Sequence, residues 1–151
     1  MKSRELVTHG GERTYALVFD KGDEAKSGIE RFARERGLSA AHFTGIGAFS
    51  DVTLGYFDWE RKDYERIPID AQVEVAALVG DIASEDGEAQ VHAHLVVGDA
   101  HGRAFAGHLL EGHVRPTLEI VLTETPAELR KVVDPETGLA LIDLEAPTAS
   151  R

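Results

Sequence analysis

The chain contains no cysteine in its 151 residues. Disulfides and thiolate metal sites are therefore excluded, and any transition metal has to be held by histidine and carboxylate. No apolar run approaches the roughly 18 residues that a membrane-crossing helix needs. The opening Met1-Lys2-Ser3-Arg4-Glu5-Leu6 has no apolar stretch of signal-peptide length, so the expected location is the cytoplasm, with no membrane partner. Basic charge is also scarce. Sixteen Lys and Arg stand against 27 Asp and Glu, a net charge of −11. Nucleic-acid binding depends on Lys and Arg that neutralise phosphates. The densest basic group here, Arg31, Arg34 and Arg36, alternates with Glu30 and Glu35 and reads as a solvated helix face. Duplex DNA is not an expected partner.

What is present is one domain's worth of chain with ordinary globular composition, 42% hydrophobic and 28% charged. Residues 1–12 read as an N-terminal extension, 13–144 as a single domain and 145–151 as a C-terminal tail. Residues 13–20 read as a strand that is apolar on both faces. A helix follows, with Asp23 as N-cap, a stripe of Ala25, Ile29, Phe32 and Ala33 at helical spacing, and Gly37 then Leu38 as the C-terminal cap. From residue 39 the pattern alternates as strand after strand: 40–48, Val52 to Tyr56, 64–69, 73–79, 90–98, 103–110 and 117–124. Thr125-Pro126-Ala127-Glu128 forms a capping box with proline at the first helical position, which predicts a short helix over about 126–133. The expected class is α+β: a mostly antiparallel mixed sheet with one main helix and a short C-terminal helix.

Three of the seven histidines fall into a pattern. On a strand, residues i and i+2 share a face, so His92 and His94 project together while Val91, Ala93, Leu95 and Val97 anchor the opposite face. Gly98-Asp99-Ala100-His101-Gly102 reads as a tight hairpin loop. Pairing Gly98 with Gly102 sets Val97 opposite Arg103, His94 opposite Ala106 and His92 opposite His108. Three imidazoles then share one side of a hairpin, and a one-residue slip would remove His108 from it. Three histidines with an open fourth position suit zinc or another divalent transition metal. Two solvated side chains would satisfy the His-x-His pair equally well, so the third histidine carries the inference. His113 is a weaker fourth candidate. Glu119, between Leu118 and Ile120, faces away from them and is a candidate to orient a ligand imidazole from behind. His101 belongs to the turn tip, and His9 and His42 have no evident partner.

Two other motifs fail. Gly45-Ile46-Gly47 begins like a dinucleotide fingerprint, but Ser50 replaces the third glycine and a strand follows instead of a helix. A cupin site would need a carboxylate, for which Asp99 in the turn is misplaced, and a second motif that is missing.

Phe43-Thr44-Gly45-Ile46-Gly47-Ala48-Phe49, Val73 to Gly80, Val91-His92-Ala93-His94, Gly107 to Gly112 and Thr117-Leu118-Glu119-Ile120 occur in the order found in the plants-and-prokaryotes-conserved (PPC) domain. The chain resembles that family, in its free-standing prokaryotic form, from about residue 13 to 144. The resemblance implies an antiparallel sheet that packs subunits into a homotrimer, and metal binding at His92, His94 and His108. Plant members carry the domain behind AT-hook segments, and no Arg-Gly-Arg-Pro core occurs here, so their DNA-binding role does not transfer. Two functions follow as expectations: a metal-binding module for self-assembly or protein interaction, and, as the alternative, a zinc-dependent hydrolase with Glu119 or Asp99 as general base. A DNA-binding regulator is the weakest reading.

Overall fold

The computed structural model describes residues 1–145. Alternating apolar residues produce nine strands among them: β1 (Lys2–His9), β2 (Glu12–Phe19), β3 (Ala40–Asp58), β4 (Asp63–Ile69), β5 (Val73–Glu85), β6 (Glu88–Gly98), β7 (Ala104–Glu124), β8 (Lys131–Val133) and β9 (Ala140–Ile142). One helix, α1 (Ala25–Arg36), interrupts them after β2. The main sheet runs β1-β2-β7-β6-β5-β3-β4, and an additional pairing between β3 and β7 closes it on itself. All these pairings are antiparallel. The expected α+β class and antiparallel sheet are thus present.

The core lies inside the closed sheet and under α1. Tyr15, Leu17 and Phe19 of β2 point inward and are fully buried, whereas Val18 between them faces out. The strand expected to be apolar on both faces is therefore one-sided. Residues 2–9, read from the sequence only as part of an extension, pair with β2 as the edge strand β1. Pro68, which cannot donate to a ladder, lies on the other edge strand, β4, where that loss is tolerated.

Helix α1 buries Ala25, Ile29, Phe32 and Ala33, the stripe read from the sequence. Burying each larger side chain stabilises the fold by about 1.5–3 kcal/mol. Gly37 adopts φ 62°, and Leu38 N donates to Ala33 O at 2.9 Å, closing the C-terminus as expected. The N-cap is Glu24 and not Asp23. The Glu24 carboxylate accepts from Lys26 N and Ser27 N and also from Gly112 N of β7, so it caps the helix and ties it to the sheet. Asp23 is instead engaged by Asp20 N and the N-terminal amine.

The short helix expected over 126–133 does not form. Its backbone groups are taken by the sheet: Leu129 N donates to Ser39 O at 3.2 Å and Ser84 N donates to Leu129 O at 2.7 Å. The chain then continues into the small hairpin β8–β9, with Lys131 opposite Ile142. Local capping chemistry loses here to pairing with distant strands. The tail expected at 145–151 lies outside the described residues, except for Glu145.

Candidate metal centre

The histidines are placed by two adjoining hairpins. In the first, Asp86 and Gly87 turn β5 into β6 with φ 50° and 86°, the left-handed pair of a two-residue loop. That turn sets Asp81 opposite His92 and Val79 opposite His94. In the second, Gly102 at φ 75° closes a three-residue loop, Ala100 to Gly102, between Asp99 and Arg103. Asp99 Oδ1 accepts from the backbone of His101 and Arg103 and fixes the turn.

The register of this second hairpin differs by two residues from the one read in the sequence. Gly98 pairs with Ala104, Val97 with Phe105, and His94, not His92, stands opposite His108. The loop is closed one residue further along each strand because the Asp99 side chain and the left-handed Gly102 define it. A two-residue displacement leaves every side chain on its expected face. The three imidazoles still converge: His92, His94 and His108 each offer one ligand atom, all within 4.8 Å of one another. Ring centroids lie 5.2 Å apart for His92–His94 and 5.3 Å for each pair with His108. His92 and His94 are exposed and His108 is buried.

Tyr64 of β4 covers His108, stacked at 4.6 Å between centroids. Gly55 lies opposite His108 in the β3–β7 register, and a Cβ there would stand 2.8 Å from Tyr64 Cδ1. Its absence lets the ring settle. Burial, helped by the neighbouring His92 and His94, pushes the His108 imidazole down to about 4. Burial and then His92 lower His94 as well. Neutral rings are the form that ligates a metal. His108 Nδ1 is buried and has no hydrogen-bond partner. A buried polar atom left unpaired costs about 1–3 kcal/mol, and a bound cation would satisfy it. The donor set therefore fits a divalent transition metal.

The carboxylate behind the ligands is one that sequence reasoning missed. Asp81 Oδ2 lies 3.3 Å from His92 Nδ1, and Asp81 Oδ1 lies 3.1 Å from the ammonium of buried Lys131. Burial alone would push the Asp81 carboxyl up, but its interactions with His92 and Lys131 outweigh that and hold it below the usual carboxylate range. Only the β5–β6 register could have revealed Asp81. Glu119, the residue proposed for that role, is exposed near the far end of β7, opposite Val18 and Ile46. His113 pairs with Asp51 at 2.7 Å and does not join the cluster. Asp99 is committed to its turn and to Arg103. His101 is exposed at the tip, as expected, and His9 and His42 are exposed elsewhere.

Beside His92 and His108 opens a cavity of about 420 Å³. Tyr64, Glu85 and Lys131 supply its polar wall and Leu139, Leu141 and Ile142 much of its apolar one.

The fold is a closed antiparallel sheet with one helix, carrying three convergent histidines on one hairpin, and sequence comparison assigns its family. The Plants and Prokaryotes Conserved (PCC) domain matches residues 7–126, and the chain belongs to that family. A plant- and prokaryote-conserved protein from Pyrococcus horikoshii has the same fold at a TM-score of 0.83 and 33% identity, covering 93% of this chain and 100% of that one. A metal-containing protein from Archaeoglobus fulgidus superposes at a TM-score of 0.80 with 28% identity, covering 94% and 99%. The bifunctional protein GlmU of Synechococcus sp. (strain JA-3-3Ab) is 35% identical over 139 residues, 90% of this chain. The chain spans about a fifth of the length of that relative, 21%.

Proposed function

We propose that this chain is a homotrimeric, zinc-binding assembly module of the cytoplasm, in which His92, His94 and His108 hold the metal. The observation that carries the reading is the buried, unpartnered Nδ1 of His108 within a cluster whose ligand atoms lie within 4.8 Å. Asp81 orients His92 through Nδ1 and leaves Nε2 to coordinate. A bound divalent ion supplies a fixed positive charge and Lewis acidity. The metal-containing relative from Archaeoglobus fulgidus supports the same reading.

Self-assembly is supported by the outer face of the sheet. Ile46, Val79 and Val121 are between 51% and 62% exposed and line adjoining surface around Glu119. Exposed apolar patches of this kind mark contact surfaces. Val79 stands directly opposite His94, so this face is continuous with the metal centre. Cyclic closure of three copies covers the patch without leaving an open end. Duplex DNA is not a partner in this proposal.

A second reading, a zinc-dependent hydrolase, draws support from the cavity that opens on His92 and His108. Neither carboxylate offered as its base adjoins that cavity: Asp99 is held in its turn, and Glu119 lines other surface.

Two measurements test the module. Each of His92→Ala, His94→Ala and His108→Ala is expected to lose most bound zinc by elemental analysis. Light scattering at micromolar concentration is expected to give a trimer mass that falls on chelation. Full zinc stoichiometry in all three variants would remove the metal assignment, and a monomer with and without chelator would remove the assembly.

A further inference from the structure

The cavity beside the histidines has walls of two kinds, and their combination selects a ligand class. Its volume, about 420 Å³, falls within the range of small-molecule sites, roughly 300–1,000 Å³. One wall is apolar: Val91 from β6 and Leu139, Leu141 and Ile142 around β9. Leu141 and Ile142 remain 47% and 42% exposed, so this hydrocarbon surface is uncovered in the protein alone. The other wall holds His92, His108 and Lys131. Lys131 is only 8% exposed, an unusual position for an ammonium, and Asp81 at 3.1 Å pairs with it.

Charge decides what enters. The carboxylates of Asp81 and Glu85 against the ammonium of Lys131 leave one net negative charge around the cavity. A divalent ion on the histidines changes that balance to one net positive. A single anionic group restores neutrality, whereas a dianion overshoots it. The burial of unbalanced charge is costly, so the metal-loaded site favours a monoanion and the metal-free site rejects one. The apolar wall supplies the rest of the recognition and disfavours a polar body such as a sugar.

Resting on the metal reading above, we propose that this cavity binds a short aliphatic monocarboxylate. Its carboxylate faces the histidines and Lys131, and its hydrocarbon body lies on Leu139, Leu141 and Ile142. Binding is coupled to the metal, so by linkage the carboxylate tightens zinc by the factor that zinc tightens the carboxylate.

The test is calorimetric titration of the full chain with 4-methylpentanoate, in zinc-loaded and metal-free forms, with 4-methylpentan-1-ol as the uncharged control and zinc content measured in parallel. The expected result is a Kd at least tenfold lower for the zinc-loaded protein than for either the metal-free protein or the alcohol. Leu141→Asp, which places a charge on the apolar wall and removes none of the three histidines, is expected to keep one zinc per chain and lose at least tenfold in carboxylate affinity. One zinc per chain with carboxylate binding no tighter than alcohol binding overturns this inference and leaves the metal assignment standing. So does unchanged binding by Leu141→Asp. A chain that takes up no zinc overturns both.

Discussion

His108 and His113 lie on the same strand, β7, in opposite electrostatic settings. His108 is enclosed and kept neutral, pushed down to about 4. His113 is nearer to solvent, and its hydrogen bond with Asp51, then their mutual attraction, raise its affinity for a proton. The same bond lowers Asp51. A raised histidine contributes stability that is complete below its unfolded value of about 6.5 and is lost as pH rises through the folded value. The lowered Asp51 contributes above its own unfolded value of about 3.9 and loses that contribution as pH falls through the folded one. The pair is therefore strongest in mildly acidic solution. Both side chains are partly solvated, so it is worth at most about 1 kcal/mol. Asp51→Asn is expected to lower the His113 value in an NMR titration and to leave zinc content unchanged. An unmoved His113 would show that the pair does not form in solution. Sequence spacing could nominate His113 as a candidate ligand, but it could not show that Asp51, 62 positions away, would claim it.

At the scale of elements, β5 lies between β6 and β3 in the sheet with no spare room at Gly80. A Cβ on Gly80 would lie 2.3 Å from Phe43 Cζ and 2.7 Å from the carbonyl oxygen of His92. Gly80→Ala is expected to destabilise the fold by about 1–3 kcal/mol and, on the proposed metal assignment, to weaken zinc binding, because the displaced carbonyl belongs to the proposed ligand His92. Chemical denaturation and zinc competition read the two effects, and an unchanged midpoint would contradict the packing. The legible part of the fold follows this division between local and distant contacts. Side-chain parity on β6, the α1 stripe and the Gly37 cap are local, and each could be read directly. The β8–β9 hairpin could not, because Thr125 to Glu128 carries helix-start chemistry and backbone groups of Ser39, Ala40 and Ser84, far away in sequence, divert it. Asp81 was hidden for the same reason. Its approach to His92 depends on where Asp86 and Gly87 place the turn. The hairpin to His108 was displaced by two residues, yet the candidate ligands stayed together because parity survives such a displacement.

For the molecule as a whole, the net charge of −11 repels a polyphosphate, so an anisotropy titration with duplex DNA at low salt is expected to show no submicromolar, salt-sensitive binding. Closure of the sheet has a further consequence, in time. The seam between β3 and β7 joins residues as remote as Ala41 and Glu124, and pairings over such spans are slow to find. The proposed ligands and the carboxylate behind them all fall between Asp81 and His108, on two successive hairpins. Hairpins of that length form in about 1–10 μs, well before a ring of distant strands can close. A zinc ion can therefore hold β5, β6 and the start of β7 together while the rest of the chain is still searching. Stopped-flow refolding is expected to be faster with stoichiometric zinc than with chelator, and His94→Ala is expected to abolish the difference. Equal rates in the wild-type chain would mean that the metal arrives only after the ring has shut.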